Sequence, residues 1–370
     1  MKKIIYIIGL IIIVVLGWYL FKKDSQTTDK ETIKVGGILI LSGEGASWGE
    51  AARNGINMAV EEVNSNGGVD GKNIEVVYED DGSDPQKAIS AFNKLTTSDN
   101  VKFIIGPNWS NVGLALTDLI KSKKIVTISP SLGLPKFNEE NKYAFNTWPH
   151  DYITSQHLAE YVYAKGYRHV ALIGANDVWV KDQTKTFSDK FKQLGGTVEL
   201  TYEPMVDIKD IRTELSKIKS NKNIDAIVLT TDGYSLTNVV AKQIREFGIN
   251  LPLFNINVDN KILSDCGQYC EGMIFPTFLT PSVSFQQKYK AKYNREVEIG
   301  ADSGYDALML LVQAFKKVGY TDTDKVQQYL HTVTEYKGVS GDLISDGKGA
   351  FTKDYLIKKV VNSLPVTIQK

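Results

Sequence analysis

Cysteine and histidine are scarce in this chain, two and four among 370 residues. His150, His157, His169 and His331 show no paired metal spacing, and a zinc site built on the two cysteines would want two further ligands nearby. With no such cluster and no Cys/His pair, no enzyme is expected. An excess of charge is also missing. Forty-three basic residues stand against 43 acidic ones, and no basic block exceeds a lysine pair, so electrostatics give no reason to expect nucleic acid. A small neutral or zwitterionic ligand suits this balance better. With 42% apolar and 10% aromatic residues, the chain has enough to bury real cores and room for two domains.

Residues 1–23 stand apart: Lys2 and Lys3, an uncharged run from Ile4 to Phe21, then Lys22 and Lys23. At about 1.5 Å per residue the run nearly crosses a bilayer core, with lysines at both edges. It reads as a membrane anchor. A cleaved secretory signal is the competing reading, although "LGWYLFKKDS" offers no small-residue cleavage site and no cysteine follows to take a lipid. Either way the body is exported to the extracytoplasmic face. Residues 24–31, "DSQTTDKE", form a polar linker. In an exported setting, Cys266 and Cys270 of "SDCGQYCEG" favour a local disulfide over two free thiols.

From Ile33 onward strand and helix patterns alternate. "IKVGGILIL" precedes a helix whose Ala52, Ile56, Ala59, Val60 and Val63 fall on one stripe. The strand "NIEVVYE" follows, then Asp84 as N-cap with Pro85 at the first helical position, a helix burying Ala88, Ile89, Phe92 and Leu95, and the strand "VKFIIG". This β-α-β-α-β order implies a parallel sheet. A second series starts at "RHVALIG" and repeats the order, with "IEVVYED" at 74 echoed by "VELTYEP" at 198, an offset of 124. Two similar α/β lobes are expected. The helix "GADSGYDALMLLVQAFKKVG" and the strand "YLIKKVV" complete no third domain. They must pack onto existing lobes, so the chain crosses between lobes more than once, making a multi-strand hinge beside a cleft.

The stretch "GILILSGEGASWGEAARNG" raises a cofactor question, because Gly43, Gly45 and Gly49 give G-x-G-x-x-x-G, near the dinucleotide fingerprint. A bulky Trp48 in that loop would block phosphate approach yet provide an apolar wall.

These stretches, together with "IIGPNWSNVGLAL", "TISPSLGLP", "GADSGYDALMLLVQA" and "GVSGDLISDGKGAF", resemble the leucine/isoleucine/valine-binding type of extracellular solute-binding protein of ABC transporters. The resemblance spans roughly residues 32–360. It implies an α/β, type I periplasmic-binding fold with two Rossmann-like lobes on parallel sheets: 32–150 plus about 277–350, and 151–276 plus about 351–370.

It also implies a site. The turn after the first strand belongs to the ligand cleft, with Trp48 against the ligand and no cofactor. Ser110, with Asn111 beside it, would offer a hydroxyl and backbone N–H groups to a ligand carboxylate; alone, Ser110 reads equally as an N-cap. Ser131 and Gly133 fall where further carboxylate contacts are made, and Gly133 stands where Thr is frequent, leaving Ser131 to compensate. Asp151 matches an acidic position facing the ligand, although by itself it reads as an N-cap. Trp179 matches an aromatic that closes over the ligand; its plain alternative is a surface or core Trp. Asp232 departs from a frequent Tyr and could supply the acid for a ligand amino group, because "NINVDN" offers Val258 and then Asp259 near the usual place; it could also merely cap a helix. The expected function is an extracytoplasmic binding subunit, monomeric, that captures an amino acid or similar small molecule by lobe closure and delivers it to a permease. An extracellular sensor for the same ligand class is the alternative.

Overall fold

The computed structural model describes residues 32–231, 236–279 and 281–369. The expected anchor or signal at 1–23, the linker at 24–31, and Asp232 lie outside the described residues. Among the described residues no helix is long and apolar enough to cross a membrane.

The first series is β1 (Thr32–Leu39), α1 (Ala46–Ser65), β2 (Asn73–Asp80), α2 (Pro85–Asn93), β3 (Phe103–Ile105), α3 (Ser110–Lys123), β4 (Val126–Ser129) and β5 (Ala144–Asn146). Its strands form a parallel sheet in the order β2-β1-β3-β4-β5. The second series is α4 (Tyr152–Ala164), β6 (His169–Ile173), α5 (Val178–Gln193), β7 (Thr197–Tyr202), α6 (Arg212–Ser220), β8 (Ala226–Leu229), α7 (Leu236–Glu246), β9 (Leu253–Asn255), α8 (Asn260–Cys266) and β10 (Ile274–Phe278). Next come α9 (Val283–Tyr293), α10 (Ala301–Val318), α11 (Thr323–Thr332), β11 (Glu335–Gly338), β12 (Gly341–Ser345) and β13 (Phe351–Thr352), which join the first lobe's core. The chain ends with β14 (Tyr355–Val361) and β15 (Leu364–Gln369). These last strands pair antiparallel onto the second sheet, whose order is β15-β14-β10-β9-β8-β6-β7.

Local chemistry explains the elements. Helix α2 starts where Pro85 needs no N–H acceptor, and the Asp84 carboxylate accepts from the N–H groups of Gln86 (2.7 Å) and Lys87 (3.3 Å). In the second sheet the period of two sorts apolar residues onto two faces: Val170, Leu172, Val228 and Phe254 pack on one side, Ala171, Ile173, Ile227 and Leu229 on the other. Cys266 and Cys270 are bridged, with Cα atoms 5.6 Å apart, at the end of α8.

The chain passes between the lobes three times: at 147–151, between β10 and α9, and at 353–354. These crossings touch one another. Trp148 on the first meets Phe278 at the mouth of the second edge to face, with centroids 5.3 Å apart. Lys353 on the third holds its ammonium 5.7 Å from the Trp148 ring, and it pairs with Asp302 at 3.3 Å, both side chains buried.

Helices α1 and α10 set the position of Trp48, near the start of α1, and of the loop entering α10. They approach closely through small residues. A Cβ on Gly55 would lie 1.7 Å from the Ala301 carbonyl oxygen, and one on Gly304 would lie 2.9 Å from that of Ala52. Gly55→Ala therefore has to force the helices apart, although Ala is intrinsically the better helix former by about 1 kcal/mol. Urea denaturation should show a net loss of about 1–3 kcal/mol, the usual range for overpacking. An equally stable or more stable variant would contradict this packing.

Candidate functional site

The loops at the carboxyl ends of the first sheet's strands face those of the second lobe, and the cleft between them holds about 520 Å³ of empty space, part of it open to solvent. Of the five tryptophans in the sequence, four lie in the described residues, and all four, Trp48, Trp109, Trp148 and Trp179, line this cleft. With them stand Ser110, Asn111, Ser131, Gly133 and Asp151, which the sequence singles out, and Asn108, Asp177, Asn257 and Ile299, which it does not.

Asp151 occupies the centre of the arrangement. One carboxylate oxygen accepts the Trp148 indole N–H at 2.9 Å and the other that of Trp179 at 2.8 Å. Although Asp151 directly precedes α4, its side chain makes no capping bond. Burial in the cleft wall pushes its carboxyl up to about 6; the two indole donors oppose this and the Asp182 charge adds to it. Gly133 makes the geometry possible, because a Cβ there would lie 1.5 Å from the Asp151 carboxylate. The Gly133 carbonyl also accepts the Asp151 N–H at 3.0 Å. A side chain at 133 and this carboxylate exclude each other.

The start of α3 also lines the cleft. Trp109 is its cap residue and makes no side-chain cap bond, so the first turn of α3 presents the helix's partial positive charge with only the Val112 N–H met by a side-chain oxygen, that of Asn111, among the described residues. Ser110 sits at the first helical position, and its hydroxyl makes no hydrogen bond among the described residues. Asn111 is tied back: its carbonyl accepts from the Val112 N–H at 2.9 Å. Ser131 is engaged within the protein, donating to the Asn108 carbonyl at 3.1 Å and accepting from the Asn108 amide at 3.0 Å, while Asn108 in turn accepts from the Ile40 N–H. That network fixes the loop after β3 against the loop after β4.

Trp179 follows the Asp177 cap of α5, whose carboxylate accepts from the N–H groups of Trp179 (2.9 Å) and Val180 (3.1 Å). It packs against the cores of both lobes. Trp48 also reaches across, donating its indole N–H to Asp259 at 2.9 Å. Asp259 caps α8 through the Ile262 N–H at 2.6 Å and lies outside the cleft lining, so its carboxylate serves the interlobe contact. Beside it Glu298, pushed up to about 7 by burial and further by Asp259, is opposed by donation from Asn260. Among the described residues no group of three or more His, Cys, Asp or Glu could hold a metal ion.

Sequence reasoning missed Trp109 and Trp148. A signal was present, since each is a Trp one to three residues before a singled-out position, Ser110 or Asp151, in a loop that ends a strand.

A family model described as periplasmic binding protein matches residues 32–363. The chain is 27% identical over 322 residues to the Leu/Ile/Val-binding protein homolog 2 of Brucella abortus, covering 84% of this chain and 85% of that one. It is 25% identical over 339 residues to the leucine-, isoleucine-, valine-, threonine- and alanine-binding protein of Pseudomonas aeruginosa, with 88% of each covered. The structure superposes with a TM-score of 0.83 and 25% identity on the branched-chain amino acid transporter substrate binding protein LivJ of Streptococcus pneumoniae in complex with isoleucine, covering 92% of this chain and all of that one. Such proteins bind solutes and are not enzymes, and with its two hinged α/β lobes this chain belongs to the periplasmic binding protein family.

Proposed function

We propose that this protein is the extracytoplasmic solute-binding subunit of an ABC transporter and captures an amino acid or a similar small zwitterion between its lobes. One observation carries the reading: a single cleft is lined both by the start of α3 with the Ser110 hydroxyl and by the Asp151 carboxylate. A ligand carboxylate suits the first and a ligand cation the second. Trp48 and Trp179 provide apolar surface from opposite lobes, so a ligand touching both favours closure. Asp232 stays a candidate for the cation on sequence grounds. Export and attachment at the membrane rest on the uncharged run from Ile4 to Phe21 between lysine pairs.

The test starts with a thermal-shift screen of amino acids, short amides and organic acids, since a ligand that binds only the folded state raises its melting point. X-ray scattering of residues 30–370 with a saturating hit should then show a smaller radius of gyration; an unchanged radius would contradict capture by closure.

Affinity should also depend on pH. The unliganded Asp151 carboxyl, held near 6 by burial, retains a proton below that pH, whereas a bound cation favours the ionised form. Binding below 6 must therefore expel the proton. Affinity is full above about pH 7 and falls as pH drops through 6, by up to about tenfold per unit. Titrations from pH 4.5 to 8 should show this fall in the native protein and a flat profile in Asp151→Asn. A flat profile in the native protein would separate Asp151 from the ligand's charge.

A further inference from the structure

The four tryptophans say more about the ligand than that it is small. Three of their indole N–H groups are engaged inside the protein: Trp48 donates to Asp259, and Trp148 and Trp179 both donate to Asp151. What these rings leave for a ligand is carbon surface and π density, and donation to a carboxylate raises that density. Trp48 and Trp109 meet at 87° with centroids 6.2 Å apart, which makes two walls of a corner. The only aliphatic side chain lining the cleft among the described residues is Ile299, so little of this surface is made for a branched aliphatic group.

Charge narrows the choice. Two carboxylates, Asp151 and Asp177, line the cleft, and no Lys, Arg or His does so among the described residues. An aromatic acid would bring a third carboxylate and no cation to offset it. A cation is attracted both by the carboxylates and by the faces of the rings, among which Trp is the strongest partner. A primary ammonium would bring three N–H donors that each need an acceptor. The carboxylates are already partly engaged: each Asp151 oxygen takes one indole N–H, which leaves it room for a single further donor, and one Asp177 oxygen takes two backbone N–H groups. An ammonium whose hydrogens are replaced by alkyl groups makes no such demand, and its methyl groups match the carbon surface.

We infer that the cleft selects a betaine-type zwitterion, an N-alkylated ammonium carried on a carboxylate, in preference to a branched-chain amino acid. The alkylated cation lies among the tryptophans near Asp151, and the carboxylate meets Ser110 and the start of α3. This inference rests on the solute-binding reading above and specifies the ligand's chemistry.

Calorimetry on the full chain in detergent tests it with glycine, N-methylglycine, N,N-dimethylglycine, N,N,N-trimethylglycine and leucine. Affinity should rise with each methyl group, and trimethylglycine should bind at least about tenfold more tightly than either glycine or leucine. Trp109→Leu, which keeps apolar surface but removes a π face, should weaken trimethylglycine binding by about tenfold; circular dichroism of the variant reports that it is folded. The ligand series decides the question even if that variant does not fold. Leucine or glycine binding as tightly as trimethylglycine would overturn this inference and leave amino-acid capture standing. If none of the five binds, this inference falls, while the solute-binding reading answers to the wider ligand screen.

Discussion

The cleft depends on one carboxylate held by two indoles. Asp151 lies on the first segment that passes between the lobes, and its two oxygens fix Trp148, on that same segment, and Trp179, on the second lobe. A buried carboxylate without donors would be costly, and the two N–H groups reduce that cost without supplying a countercharge. The carboxyl consequently sits near 6. A site in that condition is prepared for a cation, which would complete what the indoles leave undone. Gly133 is the other half of the arrangement, because its missing side chain is the space in which the carboxylate lies.

The rest of the fold serves to hold this contact between two bodies that can move. Each lobe has its own core, and β14 and β15 return to the second sheet after α9–β13 have joined the first lobe. Three crossings result, stitched by Trp148 on Phe278 and by the buried Lys353–Asp302 pair. Across the mouth, Trp48 reaches Asp259. Closure therefore brings tryptophans from both lobes onto whatever lies between them.

Much of the fold was legible before the structure. Alternating apolar patterns, the Asp84–Pro85 helix start and the stripe from Ala52 to Val63 follow from periods of two and 3.6, which local sequence records directly. The site was legible only in part. Trp48, Ser110 and Trp179 stand in motifs of the family, and all three line the cleft. Trp109 and Trp148 were not found because a loop residue's direction is set by tertiary packing and leaves no periodic trace. The exclusion between Gly133 and Asp151 joins positions that only folding brings together. The hydroxyl of Ser131, expected to compensate for the absent Thr, lines the cleft but is also bonded to Asn108, a link that joins two loops and leaves no mark in local sequence. Asp259 could be placed near the cleft from sequence, but its bond to Trp48 could not.

The central claim is that Trp148 and Trp179 share the Asp151 carboxylate, and nitrogen-15 NMR of the indole N–H groups tests it most directly. With resonances assigned through Trp148→Phe and Trp179→Phe, both signals should titrate together with a midpoint near 6, and Asp151→Asn should abolish the transition in each. Indole signals that do not respond to pH, or that titrate independently of one another, would contradict the shared carboxylate and the account of the cleft built on it.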